Sequence, residues 1–190
     1  MGFEIDDGTG NGYSAKVNQE NRLLTNAVTE SNIEHTNFKE GRAFTVYGTA
    51  NPAYEDPSAT DTGLLCVFYL KNLSDLSLII SQMGIWTASN QYIEPSINPT
   101  GSPTNVTTLT PTNMNLSSGN IATGDFYSGD DILGLEGATR VTRFRIPANN
   151  STNFNSLDSR IAIPKNNIFV LYSTESVQIE FTFNFFYHEI

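Results

Sequence analysis

The sequence predicts an all-β fold, a jelly-roll-like antiparallel β-sandwich with an extended N-terminal arm, on three observations. In the closing stretch Val177, Ile179, Phe181, Phe183, Phe185 and Tyr187 occupy every second position with mostly polar residues between them. That is the period of a strand with one buried face. Burying six such side chains contributes about 10 kcal/mol before chain entropy is set against it. Charged residues make up only 16% of the 190-residue chain, and much of its polarity comes from Asn, Thr and Ser. These favour turns and side-chain to backbone hydrogen bonds over helix. The remaining apolar runs are short and separated by Gly, Pro and Asn, as in a sandwich or jelly roll.

Taken in order, Asp6-Asp-Gly-Thr-Gly-Asn-Gly12 is too glycine-rich to begin a core element and suits an arm. Tyr13–Val17 alternates, and Arg22–Val28 is either its hairpin partner or part of a helix over Asn18–Val28. Arg42–Tyr47 is a strand, and the prolines of Asn51–Pro57 mark a loop. Leu64–Leu70 and Leu76–Trp86 are two strands joined by the polar turn Lys71–Asp75. After a break at Asn98–Pro103, strands are expected at Val106–Thr110, Ile121–Tyr127 and Arg140–Ile146. Ile168–Tyr172 and the terminal strand, linked by Ser173–Ser176, form a final hairpin. Residues 1–47 are thus assigned to the arm and first strands, and 48–190 to the sandwich body.

Composition excludes several classes of function. Twenty acidic against 10 basic residues give a formal net charge of -10, unsuited to neutralising phosphates, so nucleic acid is not an expected partner. No stretch approaches the ~18 apolar residues of a membrane span, and the N-terminus lacks a signal-peptide pattern, so synthesis in a cytoplasm without membrane insertion is expected. The single cysteine, Cys66, lies in the apolar run Leu64–Leu70 and reads as a buried, inert thiol.

Catalytic groups are scarce. His35 and His188 both read as surface residues, which disfavours zinc. Gly8-Thr-Gly-Asn-Gly12 lacks the Gly-Lys-Ser/Thr of a phosphate loop. Asp125, Asp130 and Asp131 fit no twelve-residue calcium loop and read as a solvated acidic loop. No pair of carboxylates is singled out for glycoside hydrolysis. The expectation is a protein that is not an enzyme and uses no metal or cofactor.

Several local patterns nevertheless occur in a familiar order. Gly8-Thr-Gly-Asn-Gly-Tyr-Ser-Ala-Lys-Val-Asn18, Asn21-Arg-Leu-Leu24 and Gly41-Arg-Ala-Phe44 are followed by Tyr69-Leu-Lys-Asn-Leu-Ser-Asp75 before Leu78-Ile-Ile80. Asn98-Pro-Thr-Gly101, Thr110-Pro-Thr-Asn-Met-Asn115 with Ser117-Ser-Gly119, and Phe186-Tyr-His-Glu189 complete the series. Together they resemble the virion structural proteins of tailed bacteriophages over nearly the whole chain. Gly101-Ser-Pro-Thr104 departs from the Gly-Gly-Thr usual in that pattern, which affects a loop.

The resemblance implies a particle component: a capsid decoration (cement) protein on the virion exterior, assembled as a homotrimer and bound to the major capsid protein. The early basic and apolar residues Tyr13, Lys16, Val17, Arg22, Leu23, Phe38, Lys39 and Arg42 form a mixture suited to docking on an acidic neighbour, although residues 13–47 are equally read as first strands of the sandwich. The alternative is a tail or baseplate adhesin that binds host-surface glycans, with Trp86, Tyr92 and Tyr127 as stacking platforms.

Overall fold

The structure, a computed structural model, describes Asn37 and residues 39–53, 63–154 and 161–189. All lie in the second of the two units into which the chain divides, Ile33–Ile190. The arm, the elements expected at Tyr13–Val17 and Arg22–Val28, and His35 lie outside the described residues.

Fifteen strands are found among the described residues: β1 (Ala43–Ala50), β2 (Leu65–Asn72), β3 (Ser77–Thr87), β4 (Gln91–Ile97), β5 (Thr100–Thr104), β6 (Thr107–Thr108), β7 (Thr112–Asn113), β8 (Gly124–Ser128), β9 (Leu133–Glu136), β10 (Thr139–Arg140), β11 (Phe144–Ile146), β12 (Asn150–Phe154), β13 (Ile161–Ile163), β14 (Ile168–Ser173) and β15 (Ile179–His188). One sheet has the order β12-β3-β15-β1-β7, with β13 also on β3. The other has β10-β4-β14-β2-β8-β6, with β11 also on β4, and β5 and β9 form a separate ribbon. Every pairing between these strands is antiparallel. The fold is an antiparallel β-sandwich.

The alternation at the end of the chain explains the core. Ile179, Phe181, Phe183 and Phe185 point inward from β15, which lies between β3 and β1 and so has no free edge. Their rings meet the opposite sheet directly. Phe68 of β2 stacks on Phe183 with centroids 4.5 Å apart and meets Phe181 edge-on at 5.1 Å, while Phe126 of β8 stacks on Phe185 at 5.3 Å. Such pairs contribute about 0.5–1.5 kcal/mol each beyond the area they bury. Gly48 of β1 lies opposite Phe181 because a Cβ there would stand 2.5 Å from the ring.

Several connections depart from the sequence reading. Ser173–Ser176 is not a hairpin turn, since β14 belongs to one sheet and β15 to the other, so this link crosses between the sheets. Lys71–Asp75 also joins strands of different sheets. Alternation shows which face of a strand is buried, and a strand facing the core from either sheet alternates alike. The strand expected at Ile121–Tyr127 begins only at Gly124, and Val106–Thr110 contributes just Thr107–Thr108 to a ladder. Arg140–Ile146 is split into β10 and β11, both paired with β4, because the chain departs at Thr142 and Arg143, after Val141 N has donated to Pro95 O of β4 at 2.9 Å. His188 is half-buried beside Phe186, and Cys66 is buried, as its run of apolar neighbours predicts.

Candidate docking surface

Two of the eight residues expected to make partner contacts, Lys39 and Arg42, fall within the described part of the chain. Tyr13, Lys16, Val17, Arg22, Leu23 and Phe38 lie outside it. Lys39 and Arg42 are both exposed, and Arg42 pairs with Glu40 at 3.2 Å across two half-exposed side chains. A pair in that setting contributes at most about 1 kcal/mol. The three residues therefore present a charged rim more than a structural lock.

What the basic residues stand beside comes from the far end of the next 80 residues of chain. β7 adds to the edge of β1 through Phe44 and Thr45, and the loop after it is held by asparagine side chains. Asn113 Nδ2 donates to Gly41 O (2.8 Å) and Asn120 O (3.1 Å), and its Oδ1 accepts from Asn115 N (2.9 Å). Asn115 Nδ2 donates to Lys39 O, and Asn120 Nδ2 to Glu40 O, both at 3.1 Å. Gly41 makes this fit possible: its φ is +67°, and a Cβ would run into the Ser118 side chain. Thr123 then closes the loop by exchanging hydrogen bonds with the phenol of Tyr187 (2.9 and 3.0 Å).

With its backbone bound in this way, the loop turns its large side chains outward. Leu116 is 88% exposed, Ile121 84% and Met114 39%. Ile121 shares with Arg42, Leu76 and Tyr187 the wall of a shallow cavity of about 360 Å³. Exposed apolar side chains on a pinned backbone, rimmed by Lys39, Glu40 and Arg42, have the anatomy of a protein interface: an apolar centre with a charged edge. The sequence reading missed Met114, Leu116 and Ile121. For Met114 and Leu116 the signal is that each stands alone in an Asn- and Ser-rich loop with no periodic neighbour to share a buried face, whereas Ile121 reads as the start of the strand expected at Ile121–Tyr127.

The rest of the described residues offer less chemistry. Under the loop 131–138 lies a cavity of about 460 Å³ lined by Cys66, Glu94, Ser96, Asp131, Arg140 and Tyr172. Glu94 is held by Arg143 at 3.0 Å and Arg140 at 3.5 Å. Burial pushes the Cys66 thiol well above its usual range, so it is no nucleophile. The acidic loop is not simply solvated as read from sequence. Asp131 is buried, its carbonyl accepting from Asn105 Nδ2, and Asp130 accepts from Asn51 N at 2.6 Å. No group of three or more His, Cys, Asp or Glu side chains among the described residues is placed to hold a metal. Nor is any described helix long and apolar enough to cross a membrane.

Trp86, Tyr92 and Tyr127 do not converge on one platform. Trp86 lies on β3 in one sheet, whereas Tyr92 on β4 and Tyr127 on β8 are at separate places in the other. Tyr92 sits under the Arg143 guanidinium at 4.1 Å, and Tyr127 stacks on Tyr69 at 5.6 Å. No family model, curated protein or solved structure matches the chain.

Proposed function

We propose that this protein is a non-enzymatic structural component of a phage virion, a decoration (cement) protein that binds the outer face of the capsid shell as a homotrimer. The observation that carries the reading is the pinned loop exposing Leu116 and Ile121 beside Lys39 and Arg42. Docking on an apolar, acidic patch of the major capsid protein would cover both kinds of group. A subunit spanning two or more shell proteins stabilises only the assembled shell, by mass action.

We further infer that the sandwich is a jelly roll. The pairings β1 with β15, β2 with β14, β3 with β12 and β4 with β11 are those of one long hairpin rolled over on itself. That architecture recurs in viral capsid and lectin domains, a likeness of fold alone.

The test is co-sedimentation of the purified protein with expanded, undecorated shells. Saturable binding that raises the melting temperature of the shell is expected, with about tenfold or greater weakening in the variant Leu116→Asp/Ile121→Asp. Both side chains are exposed, so the variant should itself melt within about 0.5 kcal/mol of the parent. Failure of the unaltered protein to bind or stabilise shells would reject the cement role, and sedimentation equilibrium decides the trimer.

A further inference from the structure

The outer face of the sheet built on β15 carries a second feature, independent of the docking loop. Between Asn184 and Phe185 the register of β15 against β3 shifts, leaving Ser81 as an extra residue on β3. Ser81 Oγ donates to Asn184 O at 3.2 Å, which fixes the bulge. Before the bulge, Leu78 and Ile80 face the core; after it, Met83 and Ile85 do. One inserted residue therefore re-aims the strand, and Gln82, Gly84 and Trp86 all face outward. Bulges are common beside binding sites for this reason.

The register places these residues beside a row from β15 and β1. Gln82 is opposite Asn184, Gly84 opposite Thr182, and Trp86 opposite Glu180, while Tyr47 of β1 is opposite Thr182 on its other side. They line a groove of about 280 Å³. Tyr47 and Trp86 stand on strands two spacings apart, about 10 Å. Tyr47 is 57% exposed; Thr182 and Glu180 of β15 lie between the two aromatic strands, and Gly84, two residues from Trp86 on β3, adds no side chain to the groove. At one end Asn184 Nδ2 donates to Gln82 Oε1 at 2.8 Å, setting the orientation of two amides.

We infer that this groove binds a neutral saccharide of one or two rings. Sugars present an apolar C–H face and a polar rim, and the groove presents the complement: two aromatic side chains, with hydroxyl and carboxylate groups between them and two amides at one end. A few oriented polar groups in an aromatic-walled concavity is the usual composition of a small-molecule site, and the volume is at the small end of that class. Among the described residues that line the groove, Glu180 is the only charged one, with no cation beside it in the wall. An anionic sugar would meet repulsion there, in a chain already carrying -10. The side chains are on three adjacent strands of the sandwich, so the site is rigid before the ligand arrives.

The chain has a single tryptophan, Trp86, so its fluorescence reports on this groove alone. Purified full-length protein is titrated with neutral gluco-, galacto-, manno- and N-acetylhexosamine oligosaccharides, with sialyl and uronate oligosaccharides alongside, and each titration is repeated by calorimetry. The expected result is a saturable fluorescence change with at least one neutral probe, at a Kd of about 1 mM or tighter. Tyr47→Ala and, separately, Gly84→Val should weaken it about tenfold or more. Gly84→Val fills the groove beside Trp86 with a residue strands accommodate well, so an unchanged melting temperature separates loss of binding from loss of fold. The inference is overturned if no neutral probe binds by either method, if the anionic probes bind more tightly, or if both folded variants bind as the parent does.

Discussion

Asn72 is fully buried at the end of β2, and its side chain joins three pieces of backbone. Nδ2 donates to Leu76 O and Ile163 O, each at 2.8 Å, and Oδ1 accepts from Ser74 N at 2.9 Å. Asn72→Ala would leave those partners unpaired in a water-poor site, at about 1–3 kcal/mol for each group left unsatisfied. A loss of roughly 3 kcal/mol in urea unfolding is expected at this position; a variant as stable as the parent would show that water takes over the bonds. Asparagine has a second use here. Asn98, Asn105, Asn149 and Asn166 have φ between 51° and 65°, the left-handed region. Asn166→Val should cost about 1–2 kcal/mol and Asn166→Gly close to nothing, as thermal melts would reveal. The turn-forming role of Asn72 was legible in the sequence. Its bond to Ile163 was not, because no local pattern records a partner 91 residues away.

At the scale of strands, the break between β10 and β11 has a chemical reason. By leaving the ladder after Val141, the chain brings Arg140 and Arg143 to the same Glu94 oxygen, whose side chain is only 6% exposed. Removing both guanidinium groups would strand a buried carboxylate, so Arg140→Ala/Arg143→Ala should lose about 3 kcal/mol. Adding Glu94→Gln should recover much of it, since the amide carries no charge to bury. If the double variant melts with the parent, these pairs contribute nothing to the fold. Strand existence was legible wherever apolar residues alternate or run together, as at Leu65–Leu70 and in β15. Sheet membership was not, as the crossing at Ser173–Ser176 shows, because a period of two records the buried face and not the neighbour. The docking loop was half legible: its Pro and Asn residues mark a turn, but the outward Leu116 and Ile121 become meaningful only when Asn113, Asn115 and Asn120 are seen to hold the backbone.

For the molecule as a whole, alkali should be the condition that weakens it through its tyrosines. Burial pushes the Tyr187 phenol up to about 12, partly offset by its hydrogen bond to the Thr123 backbone, and burial likewise pushes Tyr69 up to about 12. In the unfolded chain a tyrosine ionises near pH 10. Below that pH both states hold the proton and stability is unaffected; between about 10 and 12 the unfolded state binds fewer protons than the native one, and stability falls as pH rises. The slope from Tyr187 alone is about 1.4 kcal/mol per pH unit, to be read from urea midpoints between pH 8 and 12. A midpoint that stays level across that range would contradict the assignment. The central place of β15 also governs how the protein is made. Its ladder with β1 joins residues about 140 positions apart, from Ala43 with Phe186 onward, so closure carries a large entropic cost. During translation β1 and β3 must wait, with edges open, until the ribosome has delivered nearly everything between them and the strand that separates them. Folding is therefore a late and comparatively slow event, and the nascent chain is most exposed to aggregation in that interval.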